Sequence, residues 1–382
     1  MEKILIIHNN YQDLGGEDIA VKNEVKLLSK YFDVKVLYFS NTITSYIKQF
    51  FYFLLNRNLE SEKLLEKEIL EFKPDFAYVH NTWFKASLGI FSVLKKRKVK
   101  TIVKLHNFRY DCTRSYFAYK HFQDDKFCQK CGLNKKDSVF FNKYFKESFL
   151  KSLLVNYYGK KYFQILKNSK FKIFVLTNFH KQYLLNIGFK EERLCVYPNY
   201  IEKKEFVRDK NKNNDFIYAG RVSKEKGIEE LIETFLSADL EGFTLNIIGK
   251  GPDLEFYKEK YLDSRVKFLG QIPNVDVLNI ISNSYLVIST TKLYEGQPTL
   301  LCEASASGIP SIFPLTGGIN EFFPEEYKFS FKQYDYEDLK LKILLSADKD
   351  LNIKIGKENK KYINQHLDEK ALVKNFACFL DE

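Results

Sequence analysis

Two carboxylates, Glu295 and Glu303, stand eight residues apart in LYEGQPTLLCEASASGIPSI (residues 293–312), around a Gly-Gln-Pro-Thr turn. A carboxylate accepts hydrogen bonds and donates none, so such a pair could hold a polyhydroxyl group such as a sugar. The stretch reads as a helix entry. Pro298 suits the opening turn, Thr299 to Ser307 can continue it, and Gly308 followed by Pro310 stops it. Glu295 then lies in the entry loop and Glu303 a turn or more inside. The unpaired first-turn amides and the positive end of the helix dipole face whatever lies beyond the tip, which suits hydroxyls or anions. The alternative is an ordinary capped helix, with Glu295 completing the dipole and Glu303 solvated.

A second cluster is cationic. GRVSKEKG, residues 220–227, spaces Arg221 and Lys226 five apart between a strand and a helix. Two cations on such a loop can clamp a pyrophosphate, Arg through its planar fork and Lys as a point charge; otherwise the segment is an exposed basic turn. Gly15-Gly16 gives the backbone room for close approach to a ligand, but LGGED is not the dinucleotide fingerprint, because G-x-G-x-x-G is absent. His106, at a strand end, fits either a packed residue or a catalytic one. Cys112, Cys128 and Cys131, with His121 between them, offer three thiols and an imidazole for a structural zinc.

These residues need a scaffold, and length and composition bound it. A chain of 382 residues suggests two domains, and 45% apolar content with 35 Phe and 25 Tyr marks it as globular. Sixty Lys plus Arg against 49 Asp plus Glu give a net charge of +11, which favours anionic partners. MEKILIIHNN has an acidic second residue and a four-residue apolar core before His8, so it reads as a buried strand and not as a secretory signal. No apolar run approaches the roughly 18 residues needed to cross a bilayer, and Phe50 to Leu55, FFYFLL, is far too short. A cytoplasmic location is therefore expected, and in a reducing compartment the six Cys are thiols or metal ligands.

Along the chain, KILIIH, the glycine loop, a helical stretch and VKVLYF form a βαβ unit, which implies a parallel sheet. Further strands are expected in FAYVHN, KTIVKLHN and KIFVLTN. A charged, aperiodic stretch marks a linker over residues 201–214, and strands resume in DFIYAG, TLNIIG, VKFLG, YLVIST and IPSIFP. The fold class is α/β, with two doubly wound, Rossmann-like domains facing across a cleft. The first spans 1–200, with a Cys-containing loop at 107–135; the second spans 215–360. A closing helix, 361–382 within a helical stretch from about Leu351 to Leu380, packs back on the first. Ligands of such sheets bind at the carboxyl ends of strands, where the polar motifs sit. Residues 139–172 hold eight Lys and one Glu among Phe, Tyr and Leu, a net +7 of the chain's +11. Two readings stand for that stretch: an amphipathic membrane-surface helix, or a helix with its aromatic face in the core.

Together these motifs resemble the GT-B glycosyltransferases of family 4, retaining enzymes that use nucleotide sugars. The resemblance runs from the GGED loop through KLHNFR, VYPNYIE, AGRVSKEKGIEELIETF, IIGKGP and VKFLGQIP to YEGQPTLLCEASASGIP and TGGINEF. It implies that Glu303 accepts from ribose hydroxyls, while Glu295 and the Gln297, Thr299 and Leu300 amides address the donor sugar and its phosphate. It further implies that Arg221 and Lys226 neutralise the departing diphosphate, with Gly16 approaching from the first domain. His106 would touch the donor sugar, and Gln271 and Ile272 would lie by the base. Catalytic roles thus fall to His106, Glu295, Arg221 and Lys226. The donor would be a UDP- or GDP-sugar and the acceptor a glycan or a lipid-linked species in bacterial surface polysaccharide or glycolipid assembly, at the inner face of the cell membrane. No Asp-x-Asp appears at a strand end, so transfer is expected to be metal-independent. His106-Asn107 stands where many relatives carry His-Asp, and Asn cannot act as a base. Three other readings compete: a phosphorylase on the same fold, a nucleic-acid-binding protein with a zinc module, and a non-catalytic sugar-binding homologue. Nucleic acid is not expected as a partner, since the basic stretch is confined to one half while the other is built around E-x7-E.

Overall fold

The structure, a computed structural model, describes residues 1–10, 15–41, 45–117, 127–135, 144–145, 148–202 and 214–381. The chain forms two compact units, Met1–Tyr200 with Glu369–Glu382, and Ile201–Asp368.

The first unit runs β1 (Lys3–Asn10), α1 (Gly16–Leu28), β2 (Asp33–Ser40), α2 (Tyr46–Leu55), α3 (Leu59–Phe72), β3 (Phe76–Val79), α4 (Gly89–Lys96), β4 (Lys100–Leu105), α5 (Arg109–Cys112), α6 (Phe149–Asn168), β5 (Lys172–Val175), α7 (Asn178–Asn186) and β6 (Leu194–Val196). Its six strands pair in parallel in the order β2-β1-β3-β4-β5-β6. A parallel sheet is covered on both faces, and accordingly Ile4 to Ile7 of β1 and all four residues of β3 are buried. The order reverses between β1 and β3, so the carboxyl ends of these two strands open the crevice that a doubly wound sheet offers to a ligand.

In the second unit come β7 (Asp215–Ala219), a 3-10 turn (Lys224–Lys226), α8 (Ile228–Ala238), β8 (Thr244–Ile248), α9 (Leu254–Lys260), β9 (Val266–Gly270), α10 (Asn274–Ser282), β10 (Leu286–Ile288), α11 (Thr299–Ala306), β11 (Ser311–Leu315), β12 (Ser330–Lys332), α12 (Tyr336–Ser346) and α13 (Lys349–His366). The order β12-β11-β10-β7-β8-β9, again parallel, is that of the Rossmann fold, and its reversal lies between β7 and β10. A core built on Phe216, Ile232, Leu245, Leu286 and Ile312 fills this unit.

The single closing helix expected from the sequence is two. α13 ends at His366, and α14 (Glu369–Asp381) belongs to the first unit. There Phe376 is buried among Phe32, Tyr78, Phe174 and Tyr197, at ring separations of 5.4–5.7 Å, and Glu369 accepts from Lys30 at 2.8 Å. The break falls at Leu367 and Asp368, where an Asp ahead of Glu369 is a helix-start signal that the single-helix reading passed over. β6 and β12, three residues each, are too short to show one.

Most of the expected 201–214 linker, residues 203–213, lies outside the described residues. The basic aromatic stretch is divided between core and surface. Tyr158, Tyr162, Phe163 and Leu166 of α6 are buried in the core, whereas Phe149, Leu150, Leu153 and Tyr157 are exposed. Residues 139–143 and 146–147 of it are outside the described set.

α7 carries a buried titratable group. His180 shares a hydrogen bond with the Tyr110 hydroxyl (2.9 Å), stacks on the Tyr110 ring and packs against the tilted Phe108 ring at 4.3 Å, and burial lowers its pKa from 6.5 to about 3. Between those values the unfolded chain binds a proton that the folded chain refuses. Stability is therefore complete above the unfolded pKa and falls with pH below about 6.5, by roughly 1.4 kcal/mol per pH unit for each such histidine. Urea midpoints at pH 7.5 and 5.5 should show the loss, well above the carboxylate range. His180→Phe should flatten the slope by its one-histidine share.

Candidate active site

At the switch point of the first sheet, histidines converge from adjacent strands. His8, within β1, meets Asp18 of α1, Nε2 to Oδ1 at 2.9 Å, and the other Asp18 oxygen accepts from the Gly15 amide at 2.8 Å. One carboxylate thus ties the Gly15-Gly16 loop to the strand end. Gly16 opens α1, and among the described residues no atom lies within 4 Å of the place of its missing side chain.

His80, just past β3, and His106, just past β4, form a pair: Nδ1 of His80 lies 2.9 Å from Nε2 of His106, and the rings stack at 5.3 Å. Burial holds both well below the ordinary histidine pKa. For His80 the neighbouring His106 adds to this, then Lys104; for His106, Lys104 is the next cause. Lys104 is itself wholly buried and donates to Glu24 at 2.9 Å, and the Tyr78 hydroxyl donates to the same carboxylate oxygen at 2.9 Å. Both histidines are therefore neutral at physiological pH, and each ring can offer a donor and an acceptor. A small cavity opens here, lined by Glu17, His80, Trp83, Lys104, His106 and Arg109 among others. Asn107 spends its side-chain oxygen on the Arg109 amide (2.9 Å), a local turn bond that shapes the entry to α5.

At the switch point of the second sheet, the two motifs singled out by spacing meet. The turn after β7 brings Lys226 against Glu295, which lies in the loop after β10, and Nζ pairs with Oε1. Thr291 donates to the same oxygen at 3.1 Å, and the Gly318 amide fixes the Glu295 carbonyl at 2.9 Å. The turn is pinned from below by Thr290, whose hydroxyl donates to the Lys226 and Gly227 carbonyls at 3.1 and 2.8 Å. Gly227 adopts a left-handed φ of +69°, and a Cβ there would collide with the Thr290 carbonyl oxygen. Arg221 is exposed on the same turn, and no ion pair of its guanidinium is found among the described residues.

α11 starts at Thr299, as the Gly-Gln-Pro-Thr turn predicts, and closes at Gly308 with a φ of +72°. Glu303 is 9% exposed, so the solvated alternative is excluded. It adjoins Cys302, whose thiol is pushed well above its usual pKa by burial first and the Glu303 charge second. Gln297 is buried, and Thr299 and Leu300 are half-buried. Gln271 and Ile272 follow the edge strand β9, the first exposed and the second half-buried.

The cysteine cluster is partly assembled. Cys128 and Cys131 form a tight knuckle in which the Gly132 and Cys131 amides donate to the Cys128 carbonyl at 2.8 and 3.3 Å. The Cys131 thiol is shared between those of Cys112 and Cys128, and the Cys112 contact, its first cause, raises its pKa. His121 lies outside the described residues, and among those described no group of three or more His, Cys, Asp or Glu is arranged to hold a metal ion.

Sequence reasoning did not find His8, Asp18, His80, Lys104 or Thr290 as parts of these sites. All but Asp18 sit in or beside strands and read as core; Asp18, at the third position of α1 behind two glycines, was the one visible signal.

Comparison with known proteins identifies the second unit. Residues 200–362 match the family described as glycosyl transferases group 1. This segment belongs to that family. The group 1 segment contains both Arg221 and Lys226 and the Glu295 and Glu303 pair. A curated relative, the capsular polysaccharide biosynthesis glycosyltransferase CapM of Staphylococcus aureus, is 28% identical over 237 residues, 54% of this chain and 61% of that one. N-acetyl-alpha-D-glucosaminyl L-malate synthase of Bacillus anthracis is 27% identical over 139 residues, 35% of this chain and 36% of that one. The chain thus spans about three fifths or less of the length of the curated relatives it matches. Among solved structures, Anabaena HepE in complex with UDP and glucose aligns over all of both chains with a TM-score of 0.67 at 16% identity. Sucrose-phosphate synthase from Thermosynechococcus elongatus aligns over 99% of this chain and 98% of its own, with a TM-score of 0.71 at 18% identity. The fold is GT-B.

The pinning of the group 1 turn is directly testable. Gly227→Ala combines left-handed strain with a backbone collision and should cost about 2–4 kcal/mol of stability in urea unfolding. Gly242→Ala is the control: its φ is +73° but its nearest neighbour would be 4.0 Å away, so it should cost about 1 kcal/mol. Equal costs would show that the contact with Thr290 is not what fixes the turn.

Proposed function

We propose that this protein is a retaining glycosyltransferase that moves a hexosyl group from a UDP- or GDP-sugar to a glycan or lipid-linked acceptor in bacterial surface polysaccharide or glycolipid assembly. The observation that carries the reading is the meeting of the Arg221–Lys226 turn with the Glu295 loop and the tip of α11 at one switch point. There a diphosphate finds cations and unpaired helix amides. Hydroxyls of the ribose and the sugar find two carboxylates, Glu303 on the ribose side and Glu295 on the sugar side. The names of CapM and the malate synthase, and the UDP and glucose held by HepE, support a nucleotide-sugar donor.

In this reaction the bond between the anomeric carbon and the diphosphate oxygen breaks, and its electron pair stays on the phosphate. Arg221 and Lys226 stabilise that developing charge, which is where preorganised electrostatics lowers a barrier most. The acceptor hydroxyl oxygen bonds to the anomeric carbon on the face the phosphate leaves, and its proton passes to the departing phosphate oxygen. Cations of the protein supply the charge relief, so no divalent ion is needed. The neutral pair of His80 and His106, with its cavity, is assigned to sugar-hydroxyl recognition.

Melting temperature with UDP, GDP and ADP, each in EDTA, tests the reading. A nucleotide at about 100 times its dissociation constant should stabilise by roughly 2.7 kcal/mol, a shift of a few degrees. Arg221→Ala should abolish the shift, and Glu303→Gln should weaken binding about tenfold or more, since a hydrogen bond to a charged group contributes about 1.5–3 kcal/mol. No shift with any of the three would sink the proposal; a shift that appears only with added magnesium would remove its metal-free part.

A further inference from the structure

α2 and α6 lie side by side in the first unit, with Phe53 of α2 against Tyr158 of α6 and against Phe84, at ring separations of 6.1 and 4.7 Å. That contact uses one face of α2. The other carries Phe50, Phe51, Leu54 and Leu55, which are 43% to 58% exposed. Spacings of one and four put these four on a single stripe. The neighbouring turns of α6 do the same with Phe149, Leu150, Leu153 and Tyr157, 37% to 60% exposed. Isolated exposed apolar residues need no explanation, but eight large ones on two adjacent helices form a patch of the kind that marks an interaction site.

Its charge says what it fits. The two helices carry five lysines, Lys48 in α2 and Lys151, Lys160, Lys161 and Lys167 in α6, and no carboxylate. Along the outward face of α6 the apolar residues 149, 153 and 157 give way, at the next helical step, to Lys160 and Lys161, with Lys161 Nζ 3.5 Å from the Leu55 carbonyl. Apolar side chains followed by a lysine collar match a bilayer interface, where rings and leucines enter the acyl boundary and lysine stems lie along it with their charges among anionic headgroups. No helix among the described residues is long and apolar enough to cross a membrane, so the contact is peripheral.

We propose that the joint face of α2 and α6 docks on an anionic lipid bilayer. The proposal does not rest on the glycosyl-transfer reading, because docking is measured without any nucleotide. The experiment is co-sedimentation of the full chain with phosphatidylcholine vesicles, with and without phosphatidylglycerol, at low and high salt. Retention is expected on the phosphatidylglycerol vesicles and should fall as salt rises. Phe149→Glu with Leu153→Glu should weaken it about tenfold or more, and Lys160→Glu with Lys161→Glu should remove the preference for phosphatidylglycerol. Phe149, Leu153 and Lys160 are exposed and Lys161 is half-buried; both double variants should melt with the wild type, which separates lost docking from lost folding. Failure to bind either vesicle, binding without lipid preference, or full binding by the Phe149/Leu153 variant overturns the proposal. So does a wild-type dimer in gel filtration that the same variant splits without any vesicle binding, which would assign the face to a second copy of this chain.

Discussion

The candidate site of the second unit depends on a missing side chain. Because Gly227 has no Cβ, the basic turn can lie against the carboxyl end of β10, and Thr290 can reach the carbonyls of both Lys226 and Gly227. Only from that position does Lys226 meet Glu295. A turn that sits between two strands related by the sheet's reversal is shared by both, and so the chemistry of two distant sequence motifs becomes one place. Any residue larger than glycine would lift the turn off β10 and separate them.

The first unit solves a different problem at its own reversal. Lys104 and Glu24 are both withdrawn from water, and a buried pair of this kind seldom adds net stability, since desolvation offsets the attraction. Its effect is on its surroundings. The buried Lys104 cation disfavours a second positive charge nearby and so reinforces burial in holding His80 and His106 neutral. With protons fixed in this way, the stacked imidazoles act as hydrogen-bonding groups and not as charges, and the Tyr78 hydroxyl joins Lys104 on one oxygen of the Glu24 carboxylate.

Much of this was legible in the sequence where local rules suffice. The alternation of short apolar runs with helical periods gave the two parallel sheets, and the Gly-Gln-Pro-Thr turn with Gly308 placed the ends of α11. The E-x7-E and GR-x4-KG spacings each contain one partner of the Lys226–Glu295 pair. What stayed hidden depends on contacts between elements far apart in sequence. His80 reads as one more residue beside a strand until His106 is seen 2.9 Å away, and nothing near Lys104 in the sequence points to Glu24, 80 residues earlier, as the partner of its charge. The division of α6 was equally illegible. Its aromatic residues occur nearly all round the helix, so periodicity alone could not separate those facing the sheet from those facing outward.

The pairing of Lys226 with Glu295 also constrains how an anion could be held. A cation already matched by a carboxylate presents little net charge to an incoming phosphate, so the attraction at a distance falls to Arg221 and to the amides at the tip of α11. Lys226 becomes available only if Glu295 finds another partner, and hydroxyl groups can supply one, since they donate where a lysine would. A ligand that carries both phosphates and hydroxyls could therefore exchange one internal ion pair for two external interactions. A bare phosphate could make only half of that exchange. For the proposed function, this exchange would favour ligands in which the two chemistries are joined, and the preference would come from the ion pair itself.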